Sequence, residues 1–372
     1  MRWRANLERL FATSQFILGE QVTAFEDEFA AASGARFAVA TGSGTGALEL
    51  CLRESGMPPG SEAITTALTS LFTAQAIRNS GGRPRFADVN PETLLLDPDD
   101  VQARMSRRTA ALVPVHLYGQ GCDLKALSAL ARRAGIPLIQ DACQAHGLRI
   151  DHKPLSAWSA WVAYSFYPTK NLPCLGDGGA VVTNNARAAG RLRMLRDGGR
   201  RNDQIARFPA INSRLDEIQA CYLRAFLPHF EQWQAMRMRA AALYDGALAE
   251  CGSVRPVRTG AESVRHLYVI RAKRRNALRA HLLRNGIGAA VHYPVPLHLQ
   301  PAFADCGLRR GDLPHAEKAC REILSLPLWP HIPESAVLRV AECVRAFYSG
   351  TAARAVLDPV RSHGAPRVSS RA

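Results

Sequence analysis

Apolar and polar positions follow two different periods along the first half of the chain. From about residue 35 to 185, short runs rich in β-branched and aromatic residues are separated by segments with the period of an amphipathic helix, such as TGALELCLRESG and DLKALSALARRAG. Seven runs are typical of strands: ARFAVATG, EAITTAL, RPRFADV, TAALVPVHLY, IPLIQDAC, WVAYSFYP and GAVVTN. This alternation predicts an α/β fold whose seven-stranded, mainly parallel sheet is covered by helices on both faces.

The pattern changes after residue 212. Two helical segments separated by Pro228 come first, and a second mixed unit follows with a strand at HLYVIRA, a helix at RNALRAHLLRNG, a Pro-rich loop and a helix near 334–348. We therefore expect an N-terminal segment and a large domain over residues 1–245, and a smaller C-terminal α/β domain over residues 246–350. Residues 351–372 are small, polar and basic without an apolar period, which predicts a flexible tail.

The charge balance favours anionic ligands. The 372 residues include 47 Lys+Arg and 32 Asp+Glu, a net charge of +15. The arginines are spread along the whole chain, and no helix-turn-helix, zinc-finger or ribonucleoprotein motif accompanies them, so we expect small anions rather than nucleic acid as partners. Lysines are rare, with five in the chain: Lys125, Lys153, Lys170, Lys273 and Lys318.

Cysteine usage and the apolar runs indicate a cytoplasmic protein. The nine cysteines include no C-x-x-C pair, which argues against a disulfide framework and a zinc site. The sequence also contains no H-E-x-x-H motif, so it does not indicate another metal site. The first residues lack the unbroken apolar core of a signal peptide, and no run of 18 apolar residues predicts a membrane span. We expect a protein that contacts no membrane.

A glycine-rich turn is the first candidate for chemistry. The run from Gly42 to Ala47 (GSGTGA) follows the first predicted strand and opens a helix, so its backbone N–H groups and the helix dipole can hold a phosphate. The run also matches G-x-G-x-x-A, which keeps an NAD-dependent dehydrogenase as an alternative. No strand ending in a clear ribose-binding acid follows about 20 residues on, as that fingerprint requires.

Two charged residues follow other predicted strands, where ligands of an open parallel sheet bind. Asp141 comes directly after IPLIQ, and Lys170 follows the apolar run WVAYSF and precedes a glycine loop at 176–179. Asp141 alone is compatible with a simple helix cap. Lys170 differs from the other four lysines, whose surroundings predict solvated side chains, because its apolar setting would lower the amine's pKa. A phosphate cradle, an aspartate and such a lysine are the groups that pyridoxal phosphate needs.

Nine segments between about Phe16 and Trp329 form a longer ordered pattern: FILGEQVTAFEDEFA, TGSGTGALEL, FADVNPETLLLDP, PVHLYGQGCDLKAL, IQDACQAHG, SFYPTKNL, GDGGAVVTN, INSRLDEIQA and HYPVPLHLQPAF. Together they resemble the DegT/DnrJ/EryC1/StrS family of sugar aminotransferases. The resemblance implies the fold-type I, aspartate aminotransferase-like architecture and pyridoxal 5'-phosphate as the cofactor.

The resemblance also implies the catalytic roles. Lys170 would form the Schiff base with the cofactor, and Asp141 would pair with the pyridine nitrogen. Gln144 would reach the phenolic oxygen of the cofactor ring.

For the cofactor phosphate, the resemblance implies Gly44, Thr45 and the Ser165 hydroxyl as ligands. Asn212, from the N-x-R motif, comes in relatives from a neighbouring subunit and contacts the same phosphate. A homodimer with shared active sites is therefore expected.

The pocket walls depart from the family pattern. Ser70 occupies the position where relatives place an aromatic residue over the cofactor ring, and Phe72 follows two residues later, so either side chain is a candidate for this place. His292 and Tyr293 resemble a segment near the sugar-nucleotide site. His116 and His146 lie near strand ends, where a single histidine is more often a hydrogen-bonded structural residue.

The leading hypothesis is transfer of an amino group from glutamate to a keto group of a nucleotide-diphosphate deoxyhexose. The run YPTKNLPCLGDGGAVVTN resembles relatives that act at sugar carbon 3. Alternatives within the family are an aminocyclitol aminotransferase and a pyridoxamine-dependent sugar dehydratase, in which histidine replaces the lysine. Outside the family, a dehydrogenase and a non-catalytic sensor remain open.

Overall fold

The computed structural model describes residues 2–201, 203–260 and 262–350. These residues form twelve helices: α1 (Arg2–Thr13), α2 (Glu20–Ala32), α3 (Gly44–Glu54), α4 (Leu71–Asn79), α5 (Pro98–Arg104), α6 (Leu124–Ala134), α7 (Ala186–Leu195), α8 (Glu217–Phe226), α9 (Phe230–Leu248), α10 (Arg275–Arg284), α11 (Pro314–Glu322) and α12 (Glu334–Ser349). They also form twelve strands: β1 (Phe37–Thr41), β2 (Glu62–Thr66), β3 (Arg83–Ala87), β4 (Thr109–Val113), β5 (Ile139–Asp141), β6 (Arg149–Ile150), β7 (Lys153–Pro154), β8 (Trp161–Ser165), β9 (Gly179–Thr183), β10 (Val254–Pro256), β11 (Tyr268–Ala272) and β12 (Ile323–Leu326). Each of the seven predicted runs contains one strand, and the tail predicted over 351–372 lies outside the described residues.

The larger sheet consists of two hydrogen-bonded groups of strands. One group has the order β1-β9-β8-β5 and the other the order β3-β2-β4. Parallel bridges from Leu112 to Leu138 and from Val115 to Asp141 connect the β4 and β5 segments and join the groups. Within the groups, β9 runs antiparallel to both of its neighbours, and the other pairs are parallel. This is the α/β architecture that the alternating pattern predicts.

Strands in the middle of this sheet are buried on both faces. In β8, Val162 and Tyr164 belong to one hydrophobic core, which includes side chains of α2 and α6. Ala163 belongs to a second core, which includes side chains of α3, α4 and α7. Because successive strand side chains point to opposite faces, a strand covered on both sides needs apolar residues throughout. This explains the nearly continuous apolar run that predicts β8.

A smaller antiparallel sheet has the order β10-β11-β12. Its Tyr268 and Ile270 share a core with Tyr244 of α9, Leu278 of α10 and Val344 of α12. The rings of Tyr244 and Tyr268 stack with centroids 4.7 Å apart. The boundary that the sequence predicts near residue 245 lies inside α9, which contributes to this core. Across the described ranges, no helix is long and apolar enough to span a bilayer.

Glu217, the first residue of α8, holds the start of α2. Its carboxylate accepts hydrogen bonds from the backbone N–H groups of Gly19 (2.8 Å), Gln21 (2.9 Å) and Val22 (2.9 Å). The Glu217 side chain is buried. One carboxylate thus satisfies three donors at a helix start, where intrahelical partners are missing.

Glu217→Ala should therefore lower the stability of the protein, although Glu217 does not belong to the predicted site at the strand ends. Leaving buried N–H groups without an acceptor is expected to lower the free energy of unfolding by about 3 kcal/mol. Urea unfolding followed by circular dichroism measures the change. Glu231→Ala, at an exposed position in the first turn of α9, is the matched control and should stay within about 0.5 kcal/mol of the wild type. Equal unfolding midpoints for the two variants would contradict this assignment.

Candidate active site

Three predicted site segments meet at the carboxyl edge of the large sheet. Asp141 ends β5, Ser165 ends β8, and β1 ends immediately before the glycine-rich turn. A Cβ built on Gly44 would lie 2.6 Å from the Ser165 Cβ and 2.9 Å from the Cys143 Sγ. The turn, the end of β8 and the segment after Asp141 are therefore in direct contact, as expected for strand ends at one sheet edge.

The turn after β1 presents a helix N-terminus to this edge. Ser43 is the N-cap of α3, with an extended backbone, and its hydroxyl accepts a hydrogen bond from the Gly46 N–H (3.0 Å). Among the described residues, the N–H groups of Gly44 and Thr45 donate to no other residue. Free N–H groups at a helix N-terminus attract an anion, because the positive end of the helix dipole adds to their partial charges.

The cradle has the hydrogen-bond donors that a phosphate needs. Gly44 has no room for a side chain, so its backbone can approach a ligand closely. The Ser165 hydroxyl accepts a hydrogen bond from the Tyr167 N–H (3.3 Å), which leaves its own proton available for a phosphate oxygen. Gly44 and Ser165 are thus in contact, and Thr45 follows Gly44 in the turn, so their roles toward a phosphate stay a prediction.

Gly44→Ala should weaken cofactor binding. The added methyl group must displace the Ser165 side chain or the helix start, so we expect the dissociation constant for pyridoxal phosphate to rise at least about tenfold. Fluorescence titration of the cofactor-free protein measures it. Gly190→Ala in α7, where a Cβ meets no atom within 4 Å, should bind as the wild type does. Unchanged affinity in Gly44→Ala would rule out the cradle as the phosphate site.

Asp141 is a buried carboxylate with two internal donors. Its Oδ2 accepts a hydrogen bond from the Thr73 Oγ1 (2.8 Å) and its Oδ1 accepts one from the Cys143 N–H (3.1 Å). The side chain is 4% exposed, and within the described chain it forms no ion pair with a lysine, arginine or histidine at contact distance. A buried carboxylate is stable when it is hydrogen-bonded or paired with a cation, so this site can hold a protonated ring nitrogen.

Lys170 differs from the other lysines in its surroundings, as the sequence predicts. The four other lysines are exposed, whereas Lys170 is partly buried in the loop after β8, with its N–H bonded to the Tyr167 carbonyl (2.8 Å). Burial lowers the pKa of the Lys170 amine, and the nearby Cys143 and Asp141 oppose that effect. A lysine with a lowered pKa is a better nucleophile toward a carbonyl at neutral pH.

Gln144 connects the large sheet to the C-terminal region. Its Oε1 accepts a hydrogen bond from the Tyr118 N–H (2.8 Å), and its Nε2 donates to the Tyr293 Oη (3.2 Å). Burial raises the pKa of the Tyr293 hydroxyl, while hydrogen bonding to Ser70 and Gln144 opposes the change. The Tyr118 hydroxyl donates to the carbonyl of His292. The structure therefore brings together Gln144, Ser70, His292 and Tyr293.

Two predicted cofactor ligands have exposed side chains in the single chain. Phe72 is 55% exposed on α4. Asn212 is exposed as well, its backbone forms a bridge with Asp197, and its side chain makes no hydrogen bond within the described residues. The roles predicted for both side chains stay predictions.

The histidines near the strand ends differ from each other. His116 is fully buried and hydrogen-bonded to Gln140 (3.0 Å) and to the Cys122 N–H (3.2 Å), and burial lowers its pKa to about 4. The structural interpretation is right for His116. His146 is also buried, between Tyr164 and Phe166, and burial lowers its pKa to about 3, an effect that the Ser165 backbone opposes.

Sequence reasoning misses four residues around the site: Thr73, Tyr118, Asn171 and His266. Thr73 is 68 positions from the carboxylate it contacts, and His266 is 95 positions from Asn171. No local motif indicates such contacts. Only the position of Asn171, directly after Lys170, offers a signal in the sequence.

The fold and this site define a class of protein. A phosphate cradle, a buried carboxylate and an amine with a lowered pKa, at the carboxyl edge of an α/β sheet, fit pyridoxal phosphate. The profile of the DegT/DnrJ/EryC1/StrS aminotransferase family matches residues 2–345, and the chain belongs to this family.

Individual relatives agree with this assignment. The chain is 42% identical over 345 residues to dTDP-3-amino-3,4,6-trideoxy-alpha-D-glucose transaminase of Streptomyces venezuelae, covering 92% of this chain and 91% of the relative. The crystal structure of DesV from S. venezuelae has a TM-score of 0.90 at 41% identity and covers 93% of this chain and 94% of its own. Bacillus subtilis NtdA, solved with its cofactor PMP bound, has a TM-score of 0.86 at 29% identity, with 92% and 81% covered. The chain is a pyridoxal-phosphate-dependent aminotransferase with the predicted fold.

Proposed function

We propose that the protein transfers an amino group from L-glutamate to a keto group of a nucleotide-diphosphate deoxyhexose, at sugar carbon 3. The observation that carries the proposal is the meeting of the Gly44 cradle, Asp141 and Lys170 at one sheet edge. The names of several relatives support the substrate, because they place the amino or keto group at carbon 3 of a dTDP or UDP sugar.

In this proposal each residue has a separate task. The bound cofactor supplies an aldehyde and an electron-accepting ring. Gly44, Thr45 and Ser165 hold its phosphate, and Asp141 holds the proton on its ring nitrogen. The Lys170 amine would hold the cofactor's aldehyde group and, when free, would accept and return a proton as a general base and acid.

The walls of the site would orient the cofactor and the sugar. Gln144 is placed between the Tyr118 backbone and Tyr293, so its amide can face the cofactor's phenolic oxygen. His292 and Tyr293, from the segment before the Pro-rich loop, would line the sugar side. Of the two candidates for the position over the cofactor ring, Ser70 and Phe72, we favour Ser70, because it contacts Tyr293.

The assembly and location are also proposed. Asn212 is exposed, and its side chain makes no hydrogen bond within the described chain. This is consistent with a homodimer in which it reaches the neighbouring cradle. We expect a cytoplasmic enzyme that uses small-molecule substrates, since its scattered cysteines indicate no disulfide framework.

The amino acceptor can be tested with the protein loaded with pyridoxamine phosphate. Each member of a panel of keto sugar nucleotides, with 3-keto and 4-keto isomers of dTDP and UDP sugars and a keto-inositol, is added in turn. Mass spectrometry detects the aminated product, and visible absorption detects the regenerated aldehyde form. Amination of a 3-keto nucleotide sugar is expected, and exclusive amination of the keto-inositol would overturn the proposed substrate.

Two of the alternative functions considered from the sequence, the dehydrogenase and the non-catalytic sensor, are disfavoured. Membership of an aminotransferase family argues against the NAD-dependent dehydrogenase. The presence of Lys170 and Asp141 argues against the non-catalytic sensor. The sugar dehydratase of the same family is disfavoured because a lysine, not a histidine, occupies position 170. Loss of a hydroxyl group from the sugar, without gain of nitrogen, would reveal that reaction in the same panel.

A further inference from the structure

The residue after Lys170 is anchored to two other parts of the chain. Asn171 is 2% exposed, and its Nδ2 donates to the Gln234 Oε1 on α9 (3.0 Å) and to the Val264 carbonyl (3.2 Å). Its Oδ1 lies 3.0 Å from the Nδ1 of His266. The donation to the Val264 carbonyl fixes the orientation of the amide, because a carbonyl can only accept. The Lys170 loop is thereby held against α9 and the segment that leads into β11.

These contacts also fix the protonation of the His266 ring. Since the Asn171 Oδ1 is an acceptor, the Nδ1 of His266 must carry the hydrogen. The ring is buried and stays neutral, because burial and the charges of Lys170 and Arg237, with smaller effects of His146 and His292, lower its pKa well below the usual value. The Nε2 is therefore an unprotonated acceptor.

No residue in the described ranges donates a hydrogen bond to this Nε2. The backbone of His266 is held by Tyr118, through a bond from its N–H to the Tyr118 carbonyl (2.9 Å), and by Arg237, whose Nη1 donates to the His266 carbonyl (3.2 Å). The ring thus has a fixed position and one free acceptor. Among charged groups, Lys170 has the largest effect on it.

We propose that His266 is a positioning residue for Lys170, and that its Nε2 accepts a hydrogen bond from the Lys170 amine whenever this amine is not linked to the cofactor. The bond would hold the released amine near the reacting carbon instead of letting it rotate away. The inference rests on the proposed function in one respect, namely that Lys170 is released during each cycle.

The test compares asparagine and glutamine at position 266. In His266→Asn the side-chain amide can replace Nδ1 toward Asn171 but leaves the Nε2 position empty, whereas in His266→Gln the amide oxygen can occupy it. Full-length protein loaded with pyridoxamine phosphate is used, since its Lys170 amine is free. The rate of Lys170 acetylation by acetic anhydride, followed by peptide mass spectrometry across pH, reports the amine's pKa.

Loss of an acceptor destabilises the charged amine. We therefore expect the pKa of Lys170 to fall by about one unit in His266→Asn, a roughly tenfold gain in neutral amine below that pKa, and to return toward the wild-type value in His266→Gln. His298→Gln is the control: His298 is also buried, and its partner is Glu317 rather than Lys170. It should leave the Lys170 titration unchanged.

A titration of His266→Asn identical to that of the wild type would overturn the inference. If His266→Asn does not fold, Asn171→Ala tests the same bond, because without its acceptor the ring can move its hydrogen to Nε2. That variant should also lower the pKa of Lys170, and an unchanged value would again overturn the inference. Failure of the proposed function can be told apart from failure of this inference. In that case the wild type yields no aminated sugar, but the acetylation titrations of the wild type and the variants still differ as expected.

Discussion

Lys170→Ala is expected to abolish amino transfer while the protein still binds its cofactor phosphate. The variant loses the amine that binds the aldehyde carbon and the group that moves the proton. Proton transfer by a positioned side chain alone contributes about 100- to 10,000-fold to a rate, so kcat should fall by at least about 1,000-fold. The four remaining lysines are exposed and cannot replace it.

The measurement is turnover with glutamate and the keto sugar nucleotide that the panel identifies. Borohydride reduction followed by peptide mapping should also place the cofactor on Lys170 in the wild type and remove this label in the variant. Lys125→Ala, an exposed position on α6, is the matched control and should retain full activity. A labelled peptide containing any other lysine would refute the assignment.

The rate should also depend on pH in a defined direction. Burial lowers the pKa of the Lys170 amine, so the neutral form accumulates at lower pH than it does for an exposed lysine, whose pKa is about 10.4. Steps that need the neutral amine should therefore speed up as pH rises through the lowered pKa and then level off. The pH dependence of kcat, measured beside the acetylation titration, checks this direction.

Asp141→Asn is expected to have the second largest effect. Asparagine keeps the size of the side chain but removes the charge that pairs with a protonated ring nitrogen. Loss of one preorganised electrostatic partner typically costs about 100- to 1,000-fold in kcat, and we expect a reduction of that order here. The visible absorption of the bound cofactor should shift as well, because the ring loses its stabilised proton.

Thr73 provides a graded test of the same carboxylate. Thr73→Val removes the 2.8 Å hydrogen bond to the Asp141 Oδ2 and should lower kcat by about 10- to 100-fold, the range expected for a hydrogen bond to a charged group. Asp99→Asn, at an exposed position in the first turn of α5, is the control for loss of a negative charge and should leave kcat unchanged. Equal kcat in the wild type and Asp141→Asn would exclude the ring-nitrogen role.

Local patterns predict the strands and the segments that carry chemistry. The seven strands can be predicted from the sequence because a strand buried on both faces requires a continuous apolar run. β8 and β9 are examples of such runs. Asp141 can be predicted because it ends an apolar strand, and Lys170 because it lies in the loop after one. Parallel strands bring their carboxyl ends to one edge of the sheet. The glycine turn is readable because a helix N-terminus needs no distant partner to bind an anion.

Contacts between segments that are distant in the sequence cannot be predicted from local patterns. The Tyr293 hydroxyl reaches Gln144 across 149 positions, and the Asn171 amide reaches the His266 ring across 95 positions. Neither pair lies in a common motif. The position of the segment after α10 determines the first contact. The packing of α9 and of the segment before β11 against the Lys170 loop determines the second.

The sequence by itself determined the α/β class, the family and the pairing of a phosphate cradle with a lysine and an aspartate, since periodicity and strand-end position are local properties. Only the tertiary structure decided what surrounds them: the Thr73 bond to Asp141, the tautomer of His266, and the burial of His146 between Tyr164 and Phe166. These depend on burial and on distances between elements far apart in the chain, which no short segment encodes.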